Sequence, residues 1–415
     1  MNTPLTVTLV TQWFPPEPVT VPMWIARSLK RGGLDVRVLT GMPNYPDGVR
    51  HAGFPRLLPS RDRVEGFPVR RTPLFASHSR SAVPRFLNYG TWAASAAALG
   101  RDGFRGADAA LVYSSPATAA LPALWQRTRR QVPYVLMVQD VWPDSVFAAG
   151  FLEESNVRRV GEPLLHRFVD ATYRRAHAVA VIAPGMKDLL VSRGVPADKV
   201  HVVFNWVDEQ VIKPLPAHGE LKAELGLPPD DLLVMYAGNH GPAQGLGTLV
   251  DAMRSIGPDR GIHLAMVGDG IDRDSLIARA SDLPHVHFLA ARAVGEMSQL
   301  MAGADVQIVS LRDEPLFRIT LPGKVQSIMA AGRPMMVLAP GDAAAVVNAA
   351  RAGLVAKPGS SEAAAAVLIR LRAMSIQERE RLGAAARQFY ETEMSEDVGS
   401  ATLIDLLTDA ARCAA

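Results

Sequence analysis

Cysteine is nearly missing from this 415-residue chain: Cys413 is the single one, close to the carboxyl end. One thiol excludes an intramolecular disulfide, and on sequence grounds a cysteine-based metal site as well; it fits a reducing compartment. Aromatic residues are few, at 6%, and no 18-residue apolar run is free of charge. The nearest, Ala82–Leu99, holds Pro84, Arg85 and Asn88. That segment reads as a buried or groove-lining helix, or as one lying on a membrane surface, rather than as a span. Met-Asn-Thr-Pro runs straight into an apolar strand with no basic n-region, so no signal peptide is expected.

What is present is a soluble globular balance, 48% apolar and 20% charged, with 33 glycines and 31 prolines that point to many turns. The length asks for two domains. The net charge of +3 hides an asymmetry: residues 1–210 hold 25 Lys/Arg against 17 Asp/Glu, and residues 211–415 hold 19 against 24. Residues 51–105 carry nine arginines against Asp62, Glu65 and Asp102. Such a region suits an anionic partner or an anionic membrane surface on one side only. The location expected is cytoplasmic, with peripheral contact at the inner face of the plasma membrane.

Short, uniformly apolar runs alternate with helical patterns throughout. In the first half they are Leu5–Thr11, Val36–Thr40, Ala109–Ser114, Tyr134–Gln139, Ala178–Ala183 and Val200–Val203. In the second they are Leu232–Ala237, His263–Gly268, His285–Leu289, Val306–Ser310, Met335–Leu338 and Leu354–Ala356. Runs without polar alternation are strands covered on both faces, and strand–helix alternation makes parallel βαβ units. The fold class is therefore α/β, with two doubly wound Rossmann-like domains facing a cleft. The first occupies 1–205, a linker 206–216, the second 217–390, and a terminal segment 391–415 carries one more helix. Ligands belong at the carboxyl ends of both sets of strands.

Three turns in the second half bear on chemistry: the Gly238–Gly247 loop, Gly268-Asp-Gly270, and Pro322-Gly323-Lys324. A loop that opens a helix aims free N–H groups and a positive dipole end at its ligand, which suits a phosphate. Gly238 and Gly245 let the backbone approach, while Asn239 and Gln244 offer side-chain hydrogen bonds. Lys324 opens a helix against the dipole, a conflict that an anion would remove. Asp313 and Glu314 follow a strand and suit sugar or ribose hydroxyls. Asp140 emerges after the Tyr134–Gln139 strand, with Trp142 shaping its turn, and the Trp13-Phe-Pro-Pro16-Glu17 loop opens beside it. Asp272-Arg-Asp274 spells a metal motif but reads as a helix start, and Gly268-Asp-Gly270 is an incomplete dinucleotide fingerprint. No metal ligand set is expected.

With these residues in view, the chain resembles the retaining glycosyltransferases of family 4, with their two-domain GT-B fold. Its nearest resemblance is to the amino-sugar transferases of O-antigen and capsule-type polysaccharide assembly. The matching segments are Trp13-Phe-Pro-Pro-Glu-Pro18, Thr40-Gly-Met-Pro-Asn44-Tyr-Pro-Asp-Gly48, Gln139-Asp-Val-Trp-Pro-Asp144, Tyr236-Ala-Gly-Asn239, Ala243-Gln-Gly245 and Leu321-Pro322-Gly323-Lys324-Val325. The resemblance implies a nucleotide-sugar donor, a UDP-sugar with an N-acetylated hexosamine, held by Gly238, Asn239, Gln244, Gly245, Asp313, Glu314 and the Pro322–Val325 turn. It implies an acceptor (glycan, polyprenyl-linked or small molecule) near Trp13, Pro16, Glu17, Asn44 and Trp142, with Asp140 and Lys324 catalytic. It also implies no cofactor, no metal, no nucleic acid, and a final helix returning to the first domain. The sequence departs from the wider family at the Arg and Lys that usually hold the diphosphate, here Asn239 and Gln244. It departs again at the paired glutamates, whose second position falls near Gln326-Ser327. Three other readings fit the same architecture: a nucleotide-sugar 2-epimerase, an NAD-dependent oxidoreductase, and a catalytically impaired sugar-nucleotide-binding protein.

Overall fold

The computed structural model describes residues 4–77, 82–144 and 155–413. They form two compact units, one taking residues up to Phe204 together with those from Gly399 on, the other taking Asn205–Val398.

The first unit is an eight-stranded sheet of β1 (Thr6–Val10), β2 (Asp35–Gly41), β3 (Ser60–Val64), β4 (Phe67–Thr72), β5 (Ala109–Ser114), β6 (Tyr134–Val138), β7 (Ala178–Val181) and β8 (Val200–Val202). Their order is β3-β4-β2-β1-β5-β6-β7-β8. Every pair is parallel except β3 with β4. β5, β6 and β7 are buried along their whole length, which is why they read as unbroken apolar runs. The helix Val21–Arg31 covers β1 and β2 with Met23, Ile25 and Leu29, and stops at Gly33, whose φ of 91° suits only glycine there. Ala82–Leu99 is a single helix with Trp92, Ala93 and Ala96 in the core. Among the described residues no helix is long and apolar enough to cross a membrane.

The β3–β4 hairpin went unseen in the sequence. Its strands, Ser-Arg-Asp-Arg-Val and Phe-Pro-Val-Arg-Arg-Thr, are too charged to read as buried. The turn signal was there: Glu65 and Gly66 both take positive φ, 51° and 83°, as a two-residue hairpin requires. Arg27 grips the Glu65 carboxylate with two bonds of 2.7 and 2.8 Å. The hairpin also redistributes the basic region. Arg71 is fully buried rather than on the surface, and Arg80 lies outside the described residues.

The second unit is a six-stranded, all-parallel sheet of β9 (Leu232–Ala237), β10 (Ile262–Val267), β11 (Val286–Leu289), β12 (Val306–Ser310), β13 (Met335–Leu338) and β14 (Gly353–Val355). Its order is β11-β10-β9-β12-β13-β14, so the winding reverses between β9 and β12. The helix Gly247–Ile256 buries Leu249, Val250, Met253 and Ile256, one face at helical spacing, against β9 and β10. Segment 206–216 groups with this unit: Trp206, Val207 and Ile212 are buried, and Ser298 Oγ donates to the Val211 carbonyl and accepts from the Lys213 N–H. Tyr390, in a π-helical turn just before the last helix (Glu396–Arg412), donates to Glu209 at 3.0 Å.

Candidate functional site

In the second unit the strands at the reversal, β9 and β12, carry the residues singled out above. After β9 the chain turns through Gly238, with φ of 139°. The Gly268-Asp-Gly270 turn supports this loop from behind. The Gly238 N–H donates to Val267 and the His240 N–H to Asp269, both at 2.8 Å. A Cβ on Gly268 would lie 2.0 Å from the Gly238 carbonyl oxygen, and one on Gly270 would lie 2.4 Å from that of His240. Both glycines exist for backbone contact, so that turn is architecture. Gln244 braces the loop from within: its Oε1 accepts from the Gly241 N–H at 3.1 Å and from Asn239 Nδ2 at 3.4 Å. Its carbonyl accepts from Ser310 Oγ at the end of β12, at 2.6 Å. Gly245 then takes φ of 59° into the helix Gly247–Ile256.

Lys324 opens the helix Gly323–Ala330, with Pro322 at its N-cap and Val325 buried behind it. Its ammonium lies 3.6 Å from the centroid of the Tyr236 ring and donates to the Tyr236 hydroxyl, which in turn donates to the Asn239 carbonyl at 2.7 Å. A Cβ on Gly238 would sit 2.6 Å from both Cε and Nζ of this lysine. The lysine therefore lies directly against the glycine loop. Removal from water pushes its pKa down to about 7, although an aromatic face favours the charged form. A cation held at a helix N-terminus, with no carboxylate partner among the described residues and partly stripped of water, is in an environment that an anion would complete. His240 is fully buried, with its ring 5.8 Å from Tyr236, and burial lowers its pKa.

Asp313 and Glu314 lie just past β12, bordering the short helix Pro315–Arg318. Asp313 pairs with Arg318 at 2.9 Å and Glu314 with Arg312 at 3.6 Å, all largely exposed. Surface pairs of this kind are worth little and exchange readily for a ligand's hydroxyls.

In the first unit the winding reverses between β1 and β5. Asp140, past the end of β6, accepts from Ser115 Oγ, past the end of β5, at 3.1 Å. Its side chain reaches solvent, yet loss of water around the carboxylate outweighs the Ser115 bond and raises its pKa. Trp142 is buried in an aromatic chain: its ring lies 6.2 Å from Phe86 and 6.1 Å from Tyr89, Tyr89 lies 6.0 Å from Trp13, and Trp13 lies 5.9 Å from Tyr45. Pro16 is exposed beside this wall. Four cis peptide bonds, at Pro16, Pro46, Pro116 and Pro143, occur in these loops.

Glu17 and Asn44 do not face outward. Glu17 is 3% exposed, and its two oxygens accept from the backbone N–H groups of Phe14, Asn44 and Tyr45 at 3.1, 2.8 and 3.0 Å. Burial raises its pKa against those bonds. Asn44 accepts from Asn88, which also accepts from Gln12. Arg71 completes the frame, donating to the Pro15 and Gly41 carbonyls and pairing with Asp62 at 3.3 Å. These residues hold the Trp13 and Tyr45 loops in place.

Sequence reasoning gave no role to Tyr236, Tyr89, Phe86 or Arg71. Each lies inside a strand or helix where an aromatic or a charge reads as packing or solvation, and only the fold reveals its neighbours. One cysteine-containing cluster of donor atoms also forms, which the sequence spacing did not suggest. His177, Asp409 and Cys413 come together with donor atoms within 4.8 Å of one another. They are contributed by segments too distant in sequence for spacing to reveal, and His177 and Asp409 pair at 2.8 Å. Among the described residues this is the one such group, and none of it belongs to the Lys324 loop cluster.

A family model described as a glycosyl transferase 4-like domain matches residues 18–206, and one described as glycosyl transferases group 1 matches residues 231–373. The chain is 24% identical over 236 residues to a probable glycosyltransferase, WbjE, of Pseudomonas aeruginosa, covering 56% of this chain and 58% of that protein. It therefore spans less than two thirds of that relative. It is 24% identical over 326 residues to a putative colanic acid biosynthesis glycosyl transferase, WcaI, of Escherichia coli, covering 76% and 77%. Among solved structures, Anabaena HepE in complex with UDP shares the fold with a TM-score of 0.69 at 16% identity, covering 98% of this chain and 100% of that one. The chain belongs to the glycosyltransferases that join a 4-like domain to a group 1 domain in the two-sheet GT-B fold.

Proposed function

We propose that this protein is a retaining, metal-independent glycosyltransferase that moves a sugar from a nucleotide diphosphate to a hydroxyl acceptor. The observation that carries the proposal is Lys324: a half-buried cation with a depressed pKa, at a helix N-terminus, against a glycine loop. Backbone amides and one ammonium suit a diphosphate without a bridging cation, because the lysine is held against the loop and takes its proton as the anion binds. Asn239 and Gln244 supply neutral donors at positions where the wider family uses basic ones. Asp313 and Glu314 would take sugar or ribose hydroxyls from Arg318 and Arg312. The donor we favour is a UDP-sugar with an N-acetylated hexosamine; a solved neighbour of the same fold holds UDP.

In the reaction the bond between the anomeric carbon and the phosphate oxygen breaks as the acceptor oxygen bonds to that carbon from the same face. The acceptor proton goes to the departing phosphate, and Lys324 stabilises the charge left there. Asp140, acidic but held above its ordinary pKa, positions the acceptor hydroxyl or the positive charge developing on the sugar. The aromatic wall from Tyr45 to Phe86 offers flat faces for an acceptor sugar or lipid. We place the enzyme on the cytoplasmic side, in peripheral contact with an anionic membrane.

The test is incubation in EDTA with UDP-N-acetylhexosamines and sugar, polyprenyl-linked and small-molecule acceptors, followed by NMR of the product's anomeric proton. Transfer with retention supports the proposal. Inversion, strict dependence on a divalent cation, or isomerisation of the donor without acceptor would refute it.

A further inference from the structure

The first unit carries a basic cavity at the β3–β4 edge of its sheet. A cavity of about 660 Å³ opens beside β2, β3 and β4, lined by Arg37, Arg61, Arg63, Arg70 and Arg105 with Asp62 and Asp102. Strand register explains the convergence. Arg61 stands directly across from Arg70, and Arg63 across from Pro68, which lies beside Arg37 once Val38 is paired with Val69. Side chains two apart share a face, so two adjacent rows of the sheet present arginine to one side. Asp62 also borders the cavity, but its carboxylate is already paired with Arg71 at 3.3 Å.

Like charges directly opposite on neighbouring strands repel. Here one carboxylate serves both: Asp102 lies 3.4 Å from Arg61 and 3.9 Å from Arg70. Arg37 is held by Asp35 at 3.2 Å and by the Arg105 carbonyl at 2.7 Å. Among the described residues Arg63 and Arg105 have no carboxylate partner within 4.0 Å. Arg70 is only 17% exposed, and its Nε is buried without a hydrogen-bond partner. A buried, unsatisfied donor calls for an explanation. Charged side chains do protect edge strands such as β3, but that purpose does not call for Arg70 and Arg37 on the neighbouring strands to face the same cavity. Five arginines against two carboxylates around one cavity leave an excess of positive charge that an anion would offset.

We propose that this cavity binds a phosphate-bearing polyanion of the diphosphate class, at a site built from residues other than those of the Lys324 loop and of the Asp140 turn. Guanidinium groups match phosphate geometry with paired bonds, and several of them around one cavity suit two adjacent phosphates better than one carboxylate. The ligand is either a free diphosphate or the phosphates of adjacent anionic lipid headgroups.

The test uses the full chain with Lys324→Met, which silences the glycine-loop cation, compared with the same chain also carrying Arg63→Gln and Arg105→Gln. Both arginines are exposed, so the fold should survive, and an unchanged melting temperature checks this. Inorganic pyrophosphate is titrated calorimetrically, and sedimentation is measured with phosphatidylglycerol-rich and with pure phosphatidylcholine vesicles. A tenfold or greater loss of pyrophosphate affinity on removing the two arginines supports the site with a free ligand. Loss of binding to phosphatidylglycerol vesicles alone supports the site with a lipid source. If neither probe distinguishes the two proteins, the proposal is wrong.

Discussion

If Lys324 is a cation waiting for an anion, nucleotide binding must be coupled to a proton. Its pKa stands near 7 in the free protein, against 10.5 ordinarily, because burial disfavours the charged form. A bound diphosphate reverses that preference and raises the value again. At pH 8 about a tenth of free Lys324 carries the proton, so UDP binding should draw in about 0.9 proton; at pH 6 the lysine is already mostly charged and uptake falls to about 0.1. Affinity should fall above pH 7, at most tenfold per unit. The same shift sets the direction for stability. Between about 7 and 10.5 the unfolded chain binds more protons at this site than the folded one, so stability without ligand rises with pH across that window. Below 7 both states are protonated and the penalty is complete. Lys324→Met should therefore stabilise the ligand-free protein most at pH 6, by on the order of 2 kcal/mol after allowing for the part of the side chain that stays wet. Calorimetric titration of UDP in buffers of different ionisation enthalpy measures the uptake, and the Lys324→Met protein subtracts the nucleotide's own titration. Equal uptake by the two proteins at pH 8 would refute the assignment.

Three further outcomes follow from the geometry. Gly268→Ala places a Cβ 2.0 Å from the Gly238 oxygen at φ of 136°; it should cost at least about 2 kcal/mol in denaturant melts and weaken UDP binding, and an unchanged midpoint would contradict the supporting role of that turn. Glu17→Gln offers an amide N–H₂ where one carboxylate oxygen accepts backbone N–H groups; a loss of about 1–3 kcal/mol is expected, with acceptor KM rising and UDP affinity held, and an altered UDP affinity alone would be the wrong pattern. Asp140→Asn should reduce transfer by about a hundredfold or more while leaving the UDP dissociation constant unchanged, measured by product formation and calorimetry side by side; near-normal turnover would remove Asp140 from the reaction.

The parallel strands were legible because burial on both faces writes itself as unbroken apolar runs such as Ala109–Ser114 and Met335–Leu338. The glycine loop and Lys324 were legible because a lysine at a helix start and closely spaced glycines conflict with ordinary local preference. Glu17 was misread as facing the acceptor: a carboxylate in a proline-rich loop looks exposed until the three N–H groups around it are seen. Tyr236 was hidden for the opposite reason, since a tyrosine inside an apolar strand looks like core although its hydroxyl reaches Lys324. The β3–β4 hairpin escaped because two of its arginines stand on the edge strand β3 and two on its neighbour β4, so charge masks the apolar periodicity of both strands. Register then turned those arginines from a diffuse basic region into one buried residue and one cavity.

The most direct measurement is a melting-temperature screen of nucleotide sugars against wild-type and Lys324→Met protein, in EDTA throughout. Wild type should be stabilised selectively by one class of nucleotide diphosphate sugar, with the shift growing as ligand exceeds its dissociation constant, and the variant should lose that shift. Stabilisation that persists in Lys324→Met, or that appears only when a divalent cation is restored, would contradict a metal-free diphosphate site built on this lysine.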